Sequence, residues 1–173
     1  DFFAANAGDE TTIKWPNDIY WRDRKAAGLL IENIIGGKDP RTGAVDLAPN
    51  SAPSVAWHWA IAGMGVNINQ TSFPENVLNA VSLKQITGKE WNIIDLAGEL
   101  GNSVQHRYKQ FLAGDDLMPA YNDRLFKKGQ TVKFKKGGRV FEGLVKEVTA
   151  GGELLVFTAL DEYFTVGALE WVF

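Results

Sequence analysis

Residues 57–69, WHWAIAGMGVNIN, carry an unusual arrangement for a strand. Side chains on a strand alternate between faces, so one face collects Trp57, Trp59, Ile61, Gly63, Gly65, Asn67 and Asn69. The other collects His58, Ala60, Ala62, Met64, Val66 and Ile68, an ordinary core set. Two glycines on one face remove side chains from a pleated surface, which marks close approach by a ligand or by another backbone. A flat ligand over Gly63 and Gly65, with its polar end near Asn67, is one reading. A bulge or close packing against a neighbouring strand is the other. Upstream, residues 25–35 (KAAGLLIENII) form a mostly apolar strand that begins on a lysine. Period-two alternation puts Lys25 and Leu29 on one face, with Gly28 between them. Lys25 either snorkels at the strand edge or points into a site, where its charge would meet phosphate or carboxylate oxygens. Asn17-Asp18 supplies turn chemistry and, by itself, a structural role.

Composition narrows the chemistry further. The 173 residues include no cysteine, so disulfides, thiol nucleophiles and cysteine-ligated zinc are excluded. Two histidines far apart in sequence, His58 and His106, argue against a histidine metal site or a Ser-His triad. A net charge of -3 is a poor match to nucleic-acid binding. No apolar run approaches the roughly 20 residues that span a membrane. The acidic start, DFFAANAGDE, lacks the features of a signal peptide, so the cytoplasm is the expected location.

The elements that must position these residues follow from pattern. The first dozen residues read as a helix tail or a loop, and the richest motif comes almost at once, so an upstream portion is expected. Trp15, before Pro16, is biased towards an extended conformation. Residues 36–54 hold the Gly, Pro, Asn and Ser of a loop, as in a hairpin connection. A short helix is predicted within 74–87, closed by Gly88. Asn92 caps a longer one, with Ile93, Leu96, Ala97, Leu100, Val104, Tyr108 and Phe111 at helical spacing. Asp115 or Asp116 begins a third, with Leu117, Tyr121 and Leu125 inward. Beyond Gly129, short strands separated by Gly-Gly, Gly-Gly and Asp-Glu predict a compact antiparallel barrel. Two domains are expected, 1–127 and 128–173.

The string K-W-P-N-D at 14–18, then R-K-x-x-G-L-L-I-E at 24–32, resembles the central signature of biotin protein ligases. G-M-G-V-N at 63–67 resembles the family's glycine strand, and S-L-K-Q-I-T-G at 82–88 the helix after it. The final strands resemble the small SH3-like domain that closes these enzymes. The resemblance implies an α/β (α+β) fold of the class II synthetase and biotinyl/lipoyl ligase kind, a mixed sheet with helices followed by an SH3-like β-barrel. It implies joining of biotin to AMP from ATP, with Mg²⁺, and transfer of biotin to a lysine of a biotin carboxyl carrier protein domain. Lys25 matches the catalytic lysine that contacts the biotin carboxylate and the α-phosphate. Gly28, Leu29, Gly63 and Gly65 match positions lining the biotin pocket. Asn17 and Asn67 match contacts on the nucleotide side, and Asp18 an aspartate that orients or deprotonates the acceptor lysine. Metal ligands are not assigned, and a homodimer is compatible with the family. The family's glycine- and arginine-rich loop, the upstream residues that recognise the biotin ring, a helix-turn-helix and a C-terminal arginine have no counterpart in this sequence. Three alternatives stay open: a lipoate or octanoate ligase on the same scaffold, a non-catalytic carrier-binding fragment, and a degenerate paralogue. The basic run Lys127, Lys128, Lys133, Lys135, Lys136 and Arg139 is either a solvated face or an attraction for an acidic carrier.

Overall fold

The computed structural model describes residues 1–35, 57–75, 77 and 79–172; the expected loop at 36–54 lies outside them. Helix α1 (Phe2–Ala7) leads into a hairpin of β1 (Thr11–Lys14) and β2 (Asp18–Trp21). The long strands β3 (Arg24–Ile35) and β4 (Trp57–Val66) complete a four-stranded sheet of order β1-β2-β3-β4, antiparallel throughout. The glycine strand ends at Val66, three residues short of the expected Asn69. Residues 15–17 form the turn between β1 and β2, rather than the extended segment expected at Trp15, and the Trp15–Pro16 peptide is cis.

Three helices follow, each with a local signal behind it. In α2 (Leu83–Thr87), Ser82 and Gln85 form a reciprocal capping box, and Gly88 closes the helix at φ 74°. In α3 (Ile93–Leu112), the Asn92 side chain accepts from the Ile94 amide at 3.0 Å. Before α4 (Met118–Asp123), Asp116 Oδ1 accepts from the Met118 amide at 2.9 Å. Leu125 is buried as expected but lies beyond α4, where residues 124–126 run parallel to β1 and cover its edge through Ile13 N–Arg124 O (2.7 Å) and Phe126 N–Ile13 O (2.9 Å).

The second sheet comprises β5 (Thr131–Lys136), β6 (Arg139–Val148), β7 (Leu154–Phe157), β8 (Asp161–Phe164) and β9 (Glu170–Val172). Its order is β8-β7-β6-β5-β9, consistent with an SH3-like fold open between β8 and β9. Phe134, Val145, Leu154, Val156 and Phe164 fill its core, and Trp15 belongs to the same cluster. A second cluster packs Phe2 and Phe3 of α1 against Ala26, Ala27, Val81, Leu83 and Leu96. Of α3, Leu96 is buried, while Ile94, Tyr108, Phe111 and Leu112 are exposed.

Candidate functional site

The site is organised by one irregularity. Asp18 pairs with Gly28 and Ile19 with Ala27, but Tyr20 pairs with Lys25, so Ala26 is an extra residue in β3. Such a bulge reverses the side on which the preceding side chains emerge. Lys25 therefore shares a face with Asp18, Tyr20 and Gly28, and not with Leu29 as alternation predicts. The geometry is direct: Lys25 Nζ lies 2.6 Å from Asp18 Oδ1. A Cβ at Gly28 would stand 3.1 Å from that oxygen and 3.2 Å from Lys25 Nζ, so glycine leaves the pair room to meet. Backbone bonds fix the lysine: its amide donates to Asn79 O at 2.6 Å, and its carbonyl accepts from the Val81 amide at 2.9 Å.

Gly65 lies opposite Gly28 and Gly63 opposite Leu30, which puts both glycines on the Lys25 face. Neither sits at a bulge, and neither is crowded. A Cβ at Gly63 would be 3.8 Å from the Leu30 carbonyl, and one at Gly65 3.9 Å from the Gly28 carbonyl, both ordinary contacts. Packing within the described chain thus gives no reason for glycine at either place, and a bare surface next to a cation remains.

The remaining expected residues act through the backbone. Asn17 Nδ2 donates to Leu29 O at 2.5 Å while Asn17 O accepts from the Leu29 amide at 2.9 Å, tying the turn to β3. Asn67 Nδ2 donates to Lys25 O at 3.4 Å. The Asn69 amide is spent on both backbone groups of Trp91, at 2.8 and 3.0 Å. Leu29 turns its side chain to the opposite side of the sheet. There Ala60, Ala62, Met64 and Val66, expected as ordinary core, line an open apolar groove of about 500 Å³ with α1 and α3. This groove is on the far side of the sheet from the Lys25–Asp18 pair.

Two residues that the sequence reading did not single out also belong to the site face. Lys14 pairs with Asp18 across the hairpin, and Tyr20 is two residues beyond Asp18. Lys14 Nζ donates to the Tyr20 hydroxyl at 3.2 Å. Burial lowers the Lys14 ammonium from the ordinary lysine value; Asp18 opposes the fall and Lys25 adds to it. Burial raises the Tyr20 phenol, and the Asp18 charge adds to the rise. Reading K-W-P-N as a turn between paired strands would have put Lys14 beside Asp18 from sequence. The face therefore offers two lysines and one carboxylate beside a track of three glycines, suited to holding an anionic, partly flat ligand.

The resemblance implies a magnesium ion. Among the described residues no three His, Asp or Glu side chains come together as ligands. The donors do not form an all-protein cage, and magnesium often takes substrate phosphates and water instead. No described helix is long and apolar enough to cross a membrane.

No protein-family model matches the chain. It is 32% identical over 114 residues to the bifunctional ligase/repressor BirA of Bacillus spizizenii, a match covering 62% of this chain and 29% of that protein. The Escherichia coli BirA is 31% identical over 71 residues, 41% of this chain and 17% of the relative. The chain thus spans under a third of the curated relatives it matches. Among solved structures, the biotin protein ligase from Aquifex aeolicus in complex with biotin and ATP superposes with a TM-score of 0.73 at 21% identity, over 99% of this chain and 66% of that one. Its apo structure gives 0.72 at 20% identity, over 99% and 69%. In sequence over 62% of its length, and in fold over 99%, this chain is similar to the C-terminal region of biotin protein ligases.

Proposed function

We propose that this chain forms one wall of the site of a biotin protein ligase, which makes biotinyl-5'-AMP from biotin and ATP and passes biotin to a carrier lysine. The observation that carries this reading is the Lys25–Asp18 ion pair beside Gly28, Gly63 and Gly65. In the first step the biotin carboxylate attacks the α-phosphorus and pyrophosphate leaves. Both partners are anionic, so a fixed ammonium between them lowers their repulsion and meets the charge gathering at phosphorus. Lys25 is that ammonium. Its bond to Asp18 uses one of three donors, leaving others for the incoming oxygens. Gly28, Gly63 and Gly65 provide the surface on which biotin lies. Leu29 shapes it through its backbone bonds to Asn17, and Asn17 and Asn67 hold the nucleotide side by fixing the turn and the Lys25 carbonyl.

In the second step the carrier's lysine amine attacks the acyl carbon, AMP leaves, and the amine proton must be taken up. Asp18 is the acceptor or orienting group. Mg²⁺ would accompany the triphosphate and offset its charge. The carrier is a biotin carboxyl carrier protein domain, the setting cytoplasmic, a homodimer compatible with the site. Residues 1–127 form the catalytic part and 128–173 the closing domain.

The test is incubation with biotin, Mg²⁺-ATP and a carrier domain, followed by the carrier's intact mass, with Lys25→Ala as control and lipoate as competitor. A biotin-sized gain lost in the control is expected. A gain that persists in Lys25→Ala, or one matching lipoate, would overturn the reading. Transfer from preformed adenylate that is unchanged in Asp18→Asn would remove the role given to Asp18.

A further inference from the structure

The turn that carries Asp18 is gripped from outside its own sheet. Trp15 is 3% exposed and lies in one cluster with Phe134, Val145 and Val156 of the second sheet. Its indole N–H donates to Gly152 O at 2.9 Å. Its carbonyl accepts from the Trp171 indole at 3.3 Å, and the next carbonyl, of Pro16, accepts from the Tyr121 hydroxyl at 3.2 Å. Rings continue the connection, from Tyr20 to Phe126 (5.1 Å), Phe126 to Trp171 (5.7 Å) and Trp171 to Phe134 (4.8 Å). Lys14 Nζ is 6.0 Å from the Trp171 ring.

We propose that the C-terminal sheet and helix α4 are positioning parts of the site, with Trp171 of β9 and Tyr121 of α4 holding the Trp15 and Pro16 carbonyls and so fixing where Asp18 meets Lys25. Residues 15–17 are all that separates β1 from Asp18. A turn released at two consecutive carbonyls rotates its next residue, and the 2.6 Å pair opens. Trp171 and Tyr121 act through the backbone and touch no reacting atom; they are positioning residues. The role in catalysis rests on the ligase reading above, whereas the grip does not.

Two substitutions remove one donor each and keep a ring: Trp171→Phe and Tyr121→Phe. Phe164→Leu, in the same core but without a bond to the turn, serves as the control for lost stability. The first readout, on the whole chain, is the NMR resonance of the Asp18 carboxyl carbon. Both donor variants are expected to move it towards its position in Lys25→Ala, and the control to leave it in place. An unmoved resonance in both donor variants, or an equal move in the control, overturns the grip. The second readout is biotinyl-adenylate formation in a preparation that makes it. A misplacement of about 1 Å can cost on the order of 100-fold, so kcat is expected to fall by about 10- to 100-fold at unchanged KM for biotin. A moved resonance with unchanged kcat overturns the catalytic role. Absence of adenylate in the unsubstituted protein counts against the ligase reading and leaves the resonance to judge the grip.

Discussion

The two sheets use glycine and burial in opposite ways. In the second sheet a Cβ at Gly143 would stand 2.3 Å from Val156 Cγ1, so that glycine exists to let a core close. In the first sheet, Cβ atoms at Gly63 and Gly65 would meet nothing nearer than 3.8 Å. The burial follows suit. Phe134, Val145, Leu154 and Val156 are fully buried, while Leu30 and Ile61 of the first sheet are 63% and 60% exposed. One sheet closes over a filled core, whereas the other keeps surface uncovered next to its charges. Glycine in a strand is therefore informative once it is known whether the neighbouring atoms demand it.

Substitutions in both sheets bear on this contrast. Phe134→Ala should be the costliest, removing about 3–5 kcal/mol as read by chemical denaturation, because a filled core cannot relax around the lost ring. A loss below about 1 kcal/mol would mean the second sheet is not the tight core described. Next come three glycines. Gly143→Ala should cost about 1–3 kcal/mol through overpacking against Val156. Gly63→Ala or Gly65→Ala should change stability by less than about 1 kcal/mol yet abolish biotin binding by calorimetry. Equal costs at all three glycines would dissolve the distinction.

A smaller effect concerns Tyr121, whose phenol burial pushes up to about 12. The unfolded phenol ionises near its ordinary value of about 10, so stability from this group is intact below about pH 10 and declines as pH rises towards 12. Alkaline denaturation of Tyr121→Phe should lack that part of the decline, and curves that superimpose would contradict the burial. Smallest of all, Leu30→Ser on the open face should alter stability by no more than about 0.5 kcal/mol in the same denaturation assay. A larger loss would show that something already covers that surface.

Much of this was legible in the residues. The cap at Asn92, the stop at Gly88 and the strands after Gly129 are local signals, and each produced its element. The glycine face was also legible, because regular alternation holds along β4 from Ile61 to Gly65. Alternation failed for Lys25, since one extra residue changes sides without any mark in an apolar string. It failed again for Asn69, where the ladder had already ended and the amide was engaged by Trp91. Lys14 was missed because its relation to Asp18 is across a hairpin, and pairing is not visible within one strand. Nor does any local pattern announce that Trp15 would complete a core built more than a hundred residues later.

The extra Ala26 has a consequence of its own. It works as a half-period phase slip in a wave of alternating side chains. Upstream of it Lys25 emerges on one side; downstream the same side receives Gly28 and Leu30, while Ala27 and Leu29 serve the other. One continuous strand thus answers to two different surfaces. Were Ala26 drawn into regular pairing instead of standing out as an extra residue, no charge and no hydrogen-bonding side chain would be lost, yet the lysine would emerge on the wrong side of the sheet.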